Sequence, residues 1–314
     1  MVRSTRRAAV LSLIGMVALA GCSGSGEVED TVPRASSPAS TRVAPEAGSR
    51  ISPTAPASSA IEVGCSVREI AVEGETRRYL AYRPDLLESP ASLILVFHGH
   101  GGSPHGTERA TGWNAWADDL GAVVVYPEGI RVSFNAGGCC GIAHEMQVDD
   151  VAAALAIIDD VASHIAIDAD RVYSTGFSNG ASMSYRLACE TDRFAAIGPV
   201  GGVQFVPCNP LSTTSVMHIH GLADTTMPAA GETRADGTVV RPLDDVIADW
   251  RRVLGCEPAT ESKVDGVRRS TASCVDGRSV DLITLDTFGH EWPTAADGVD
   301  ATAELARFFA EHRR

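Results

Sequence analysis

The pentapeptide Gly176-Phe177-Ser178-Asn179-Gly180 lies between an apolar run that ends at Thr175 and a helix-forming stretch that begins at Ala181. A Gly-x-Ser-x-Gly segment at a strand-to-helix junction bends the chain sharply at the serine, and larger side chains in place of the glycines would collide. Ser178 is thereby offered as a nucleophile; the bland alternative is a glycine-rich turn with a capping serine. A serine hydroxyl attacks poorly near neutral pH, so it needs a base, an acid to orient that base, and donors for the developing oxyanion. When a serine sits on such an elbow, the partners follow in the order Asp or Glu, then His. Here Asp224 follows the run Val216–His220, and His290 follows the run Val280–Leu285. Asp286 competes for the acid's place, but it stands too close to His290 in sequence to be an independent partner. Upstream, His98-Gly99-His100-Gly101-Gly102 forms a glycine-rich loop able to turn a backbone N–H toward a carbonyl oxygen, so the N–H groups of His100 and Asn179 are the expected oxyanion donors. Trp113 and Trp292 are candidate walls of a substrate pocket, with burial in the core as the alternative.

These residues need a frame that carries several loops to one place. The runs Leu93–Phe97, Val123–Tyr126, Arg171–Thr175, Ala196–Val200, Val216–His220 and Val280–Leu285 read as strands. Helical stretches follow Asp149-Asp150 through Val161 and cover Ala181–Ala188, Asp244–Leu254 and Ala301–Glu311. Such alternation predicts a single α/β domain over residues 61–314, with a mainly parallel central sheet flanked by helices. Ser178, Asp224, His290 and His100 then each follow the end of a strand within a few residues.

Several blocks together resemble a known family. They are His98-Gly-His-Gly-Gly102, Thr111-Gly-Trp-Asn114, Val125-Tyr-Pro127, Asn135-Ala-Gly-Gly-Cys-Cys-Gly141, Val148-Asp-Asp-Val151, Gly176-Phe-Ser-Asn-Gly180, His220-Gly-Leu-Ala-Asp224 and Gly289-His-Glu-Trp-Pro293. In this order they resemble the poly(3-hydroxybutyrate) depolymerase and feruloyl esterase family of secreted α/β-hydrolases. The resemblance implies an α/β-hydrolase fold, a serine esterase without cofactor or metal, Ser178 as nucleophile, Asp224 as acid and His290 as base. It implies carboxylic esters as substrates, whether feruloyl or acetyl esters of polysaccharides or hydroxyalkanoate esters. His100, Ala181 and Phe288 depart from the family's usual residues and alter the walls of the site. Acyl transfer to a cell-envelope sugar, or a surface lipoprotein that binds without turnover, are the alternatives. The pairs His98/His100 and His218/His220 suggest metal ligation, but both belong to the blocks above and no His-Glu-x-x-His occurs.

The amino-terminal residues address the compartment. Arg3, Arg6 and Arg7 precede an apolar run that ends in Leu19-Ala20-Gly21-Cys22, a pattern expected of a signal peptide over residues 1–21. The tetrapeptide resembles the lipobox of bacterial lipoproteins, which makes Cys22 the expected lipid-bearing residue. Of the 38 residues from 23 to 60, 27 are Ser, Gly, Pro, Ala or Thr, so residues 22–60 read as a flexible tether with little to bury. A formal charge of -14 repels a phosphate backbone, so no nucleic acid is expected as partner, and contact with a membrane is expected through the anchor alone. A monomer is expected. Export favours disulfides, and the expected pairs are Cys189 with Cys208, Cys256 with Cys274, and Cys65 with Cys139 or Cys140.

Overall fold

The computed structural model describes residues 60–208 and 214–314. The expected signal peptide, Cys22 and nearly all of the tether lie outside the described residues. The chain opens with a hairpin, β1 (Gly64–Val72) and β2 (Glu75–Arg83), followed by β3 (Ala91–Phe97), α1 (Pro104–Thr111), α2 (Trp113–Leu120) and β4 (Ala122–Pro127). Next come α3 (Gly141–Glu145), α4 (Asp150–His164), β5 (Ile167–Phe177), α5 (Asn179–Glu190), β6 (Ala196–Val200) and β7 (Ser215–Gly221). The small pair β8 (Glu232–Thr233) and β9 (Val239–Val240) precedes α6 (Leu243–Val253), β10 (Thr260–Val264), β11 (Val267–Ser273), β12 (Ser279–Leu285) and α7 (Ala301–Glu311).

Ten strands form one sheet in the order β1-β2-β4-β3-β5-β6-β7-β12-β11-β10. The central strands β4, β3, β5, β6, β7 and β12 run parallel. They coincide with the six apolar runs read from the sequence, because strands covered on both faces must be apolar nearly throughout. At either edge the pairing turns antiparallel, through β2 on β4 and through β11 on β12. The edges carry no such signal: every residue of β10 is exposed, and its sequence Thr-Glu-Ser-Lys-Val is largely polar. The short helices α1 and α2 are also absent from the sequence reading. Ser103 starts α1 by accepting Gly106 N–H at 3.2 Å, and Gly112 breaks the two apart with φ of 65°.

Successive side chains of a strand point to opposite faces, which divides the core in two. Leu93, Leu95 and Phe97 pack with Ile157 and Val161 of α4, Met183 and Tyr185 of α5, and Trp250 of α6. Ile94 and Val96 join the other cluster with Trp113 of α2 and Leu305 and Phe309 of α7. Trp113 is therefore no pocket wall. It is 0% exposed and its ring stacks on Phe309 at 5.7 Å, because the first turn of α2 faces the sheet.

Cys189 is bonded to Cys208 and Cys256 to Cys274, the two pairings read from the sequence. The third pairing is corrected: Cys139 is bonded to Cys140. Cys65 stands on β1, where its sulfur lies 3.9 Å from Asn114 Nδ2, whereas Cys139 lies against Asn179 at the start of α5. With Cys139 and Cys140 bonded to each other, neither is left to pair with Cys65.

Candidate active site

The elbow is dictated by how tightly β5 and α5 meet the end of β3. A Cβ on Gly176 would stand 2.6 Å from Phe97 O, and one on Gly180 would overlap the same carbonyl. Ser178 takes φ of 54° and ψ of -114°, a strained conformation that the flanking contacts and its N–H bond to Val200 O at 3.0 Å hold in place. Its hydroxyl faces His290, with Nε2 2.9 Å away. On the other side of the ring, Nδ1 is 2.6 Å from Asp224 Oδ2. An ionised carboxylate only accepts, so Nδ1–H donates to Asp224 and Nε2 is left to accept the Ser178 hydroxyl proton.

Asp224 is set by the turn that follows β7. Its Oδ1 accepts the N–H groups of Thr226 and Met227, each at 2.8 Å, and its side chain is fully buried. Burial alone would raise its pKa, but the hydrogen bonds from His290 and Met227 outweigh it and hold the group below the usual carboxylate value. The His290 loop is stitched to this turn, since Ala223 N–H donates to Phe288 O at 3.0 Å. Gly221 allows the approach: a Cβ there would lie 2.5 Å from Gly289 O. Phe177 covers His290, with the two ring centroids 4.7 Å apart.

The loop after β3 approaches Ser178 closely, and a Cβ on Gly99 would sit 3.5 Å from Ser178 Cβ. The buried His98 holds this loop. Its Nε2 accepts Gly129 N–H at 3.0 Å, which leaves Nδ1–H to donate to Gly99 O at 2.7 Å. Desolvation lowers the His98 pKa and keeps the ring neutral in that role. The N–H of Asn179 opens α5 and so has no intrahelical acceptor, a feature shared by all first-turn amides. The side chain of the exposed His100 lies beside Gly141, where an added Cβ would come within 2.7 Å of its Cε1.

Sequence reasoning missed what secures the 134–141 loop. The side chain of Asn179 binds both polar groups of Phe134, accepting its N–H at 2.8 Å and donating to its carbonyl at 2.9 Å. Asp150, read only as part of a helix start, is buried in an ion pair with Arg77 and accepts Asn135 N–H at 2.7 Å. Burial raises the Asp150 pKa, and Arg77 and the Asn135 amide counter that shift. The Asp-Asp doublet was the only sequence signal, and it cannot say which aspartate caps and which turns inward. His218 and His220 are likewise buried, in a hydrogen-bonded file beside Asp224. Trp292 is half-buried against the second core cluster, and its indole N–H donates to Thr302 of α7 at 3.1 Å.

The family model described as esterase PHB depolymerase matches residues 79–238, which contain the elbow and Asp224. The putative esterase NocK of Nocardia uniformis subsp. tsuyamanensis is 32% identical over 93% of this chain and 91% of its own. The chain belongs to this esterase family. It is a carboxylic ester hydrolase. The bifunctional acetylxylan esterase/xylanase XynS20E of Neocallimastix patriciarum is 25% identical over 72% of this chain, which spans 32% of that longer protein. A probable feruloyl esterase C of Aspergillus terreus is 28% identical over 49% of this chain and 57% of its own. Among solved structures, an acetyl xylan esterase from Aspergillus awamori superposes with a TM-score of 0.56 at 17% identity, covering 77% of this chain and 99% of that one. A dienelactone hydrolase-like promiscuous phosphotriesterase gives a TM-score of 0.55 at 16% identity, covering 80% of this chain and 100% of that one. Those likenesses establish the α/β-hydrolase fold.

Proposed function

We propose that this esterase works through an acyl-enzyme on Ser178, with His290 as general base and acid and Asp224 as the group that orients it. The observation that carries the reading is the unbroken file Ser178 Oγ, His290, Asp224, with contacts of 2.9 and 2.6 Å. Ser178 Oγ bonds to the ester carbonyl carbon as His290 Nε2 takes the hydroxyl proton. The tetrahedral oxyanion is received by the backbone N–H groups of His100 and Asn179. Collapse breaks the bond to the alcohol oxygen, which takes the proton from His290. Water then repeats the sequence on the acyl-enzyme and releases the acid.

The substrate class in this reading is an ester of a polysaccharide, acetyl or feruloyl, or a short hydroxyalkanoate ester, in keeping with the names of the relatives. The reading also places the protein outside the cytoplasm, held by lipid on Cys22, and its cystines suit that compartment. Ser178→Ala is expected to remove covalent turnover and labelling by a fluorophosphonate, leaving only a small residual rate. A folded alanine variant with near wild-type activity on p-nitrophenyl acetate overturns the assignment. Rates on methyl ferulate, acetylated xylan and hydroxybutyrate oligomers rank the substrates, and loss of detergent partitioning in Cys22→Ser tests the anchor.

A further inference from the structure

Behind Asp224 runs a second file of buried polar groups that the reaction does not use. Tyr185 Oη lies 2.7 Å from His218 Nδ1, His218 Nε2 lies 2.9 Å from His220 Nδ1, and His220 Nε2 lies 2.8 Å from Met227 O. The exposures of the three side chains are 0%, 0% and 1%, so water does not supply alternative partners. The proton positions follow from the end of the file. A carbonyl oxygen only accepts, so His220 Nε2 carries the hydrogen and His220 Nδ1 accepts. His218 Nε2–H must then donate to it, and His218 Nδ1 accepts the Tyr185 hydroxyl proton. Both rings are neutral, and every member is satisfied.

Met227 is where this file meets the site. Its carbonyl is held by His220 while its N–H holds Asp224 Oδ1 at 2.8 Å. The His220 Nε2–H also stands 3.7 Å from Asp224 Oδ2, the oxygen that receives His290. Tyr185 stands two turns along α5 from Ser178. The path therefore leaves the nucleophile's own helix, crosses β7, and returns through Met227, Asp224 and His290 to Ser178.

We infer that Tyr185, His218 and His220 are positioning residues that lock the turn carrying Asp224, so that the acid's place relative to the nucleophile is set from α5 at both ends. The inference rests on the triad reading above. A fully satisfied buried network specifies one geometry and is costly to leave half-made. Its loss should let Asp224 wander from His290 and slow chemistry, with little effect on substrate binding.

The test compares His220→Leu with His220→Gln, each shown folded by near-ultraviolet circular dichroism and assayed on p-nitrophenyl acetate. Leucine removes both contacts, and a 10- to 100-fold fall in kcat is expected with KM within twofold. Glutamine can donate to Met227 O and accept from His218, so it should recover most of kcat. The low-field proton resonance of the His290–Asp224 hydrogen bond should broaden or move in the leucine variant and return in the glutamine variant. Wild-type kcat in folded His220→Leu overturns the inference, as does a loss that glutamine does not recover. Should the leucine variant not fold, Tyr185→Phe decides: a several-fold fall in kcat supports the inference, and an unchanged kcat overturns it. An active Ser178→Ala refutes the triad itself, whereas an inactive Ser178→Ala beside a fully active His220→Leu refutes this inference alone.

Discussion

Asp224 has an imidazole on either side, and the two are used in opposite ways. His290 is 20% exposed at its side chain, bonds the carboxylate through Nδ1, and turns Nε2 toward the Ser178 hydroxyl. His220 is buried, spends Nε2–H on a backbone carbonyl, and fills Nδ1 with a hydrogen bond from His218. The first ring keeps one nitrogen free to exchange a proton; the second has both nitrogens committed. Burial without an anionic contact at hydrogen-bond distance lowers the pKa of His220 and puts that of His218 well below its ordinary value, so both stay neutral. In the reading proposed above, the same side chain serves as base or as strut according to what its second nitrogen meets.

The largest break in that contrast is expected from Asp224→Asn. An amide can donate to Nδ1 and hold the wrong tautomer, so kcat on p-nitrophenyl acetate should fall by about 10⁴-fold, measured on folded protein. A fall of tenfold or less would mean that His290 does not depend on this carboxylate.

Trp113 stands with the struts. Trp113→Ala should lower stability by about 3 to 5 kcal/mol in urea unfolding, since a fully buried indole leaves a cavity. The ratio of rates on acetyl and feruloyl esters should not change; a changed ratio in a variant of unaltered stability would return Trp113 to the pocket.

Acid tests the neutral rings directly. A histidine whose folded pKa is lowered contributes stability that is present above the unfolded value near 6.5 and is lost as pH falls below it, because the unfolded chain takes up the proton first. His218, His220, His98 and His312 all have this sign, each with burial as the leading cause. Each ring that stays neutral adds a loss of up to about 1.4 kcal/mol per pH unit. Two buried carboxyls oppose them, Asp150 with a raised pKa and Asp281, which burial raises to about 6, so that the contribution of Asp281 is present at low pH and lost as pH rises through that value. Urea titrations from pH 7 to 4 should show falling stability, and a steeper fall between pH 6 and 4 in Asp281→Asn. A flat profile in that variant would mean that the buried rings accept protons freely.

The smallest effect is expected at Trp292. Trp292→Phe forfeits the bond to Thr302, about 1 kcal/mol of stability, and should leave ester preference unchanged. A selective change in kcat/KM would show that the indole meets substrate after all.

How much could be read in advance varied with the kind of signal. Ser178, Asp224 and His290 were legible because a glycine-framed serine and the chain order of its partners are local and sequential patterns. The parallel strands were legible because burial on two faces demands unbroken apolar runs, as in Leu93–Phe97. The edge strands β1, β2, β10 and β11 were not, since one-sided or exposed strands such as β10 are polar enough to pass for loops. Trp113 illustrates the ambiguity of aromatic residues, whose type suits a pocket wall and a core equally.

Residue type and order by themselves nominated Ser178, Asp224 and His290, and determined the alternation of strands and helices and two of the cystines. Tertiary structure alone decided that Asp150 turns inward to Arg77, that Asn179 clamps Phe134, that Cys139 joins its neighbour, and that His218 and His220 line up in a buried file that ends on Met227 O. The reason is physical. A nucleophile's bend is imposed by its immediate neighbours, whereas the role of a buried polar side chain is set by whichever donor or acceptor the fold brings within about 3 Å of it, and that partner lies far away in sequence.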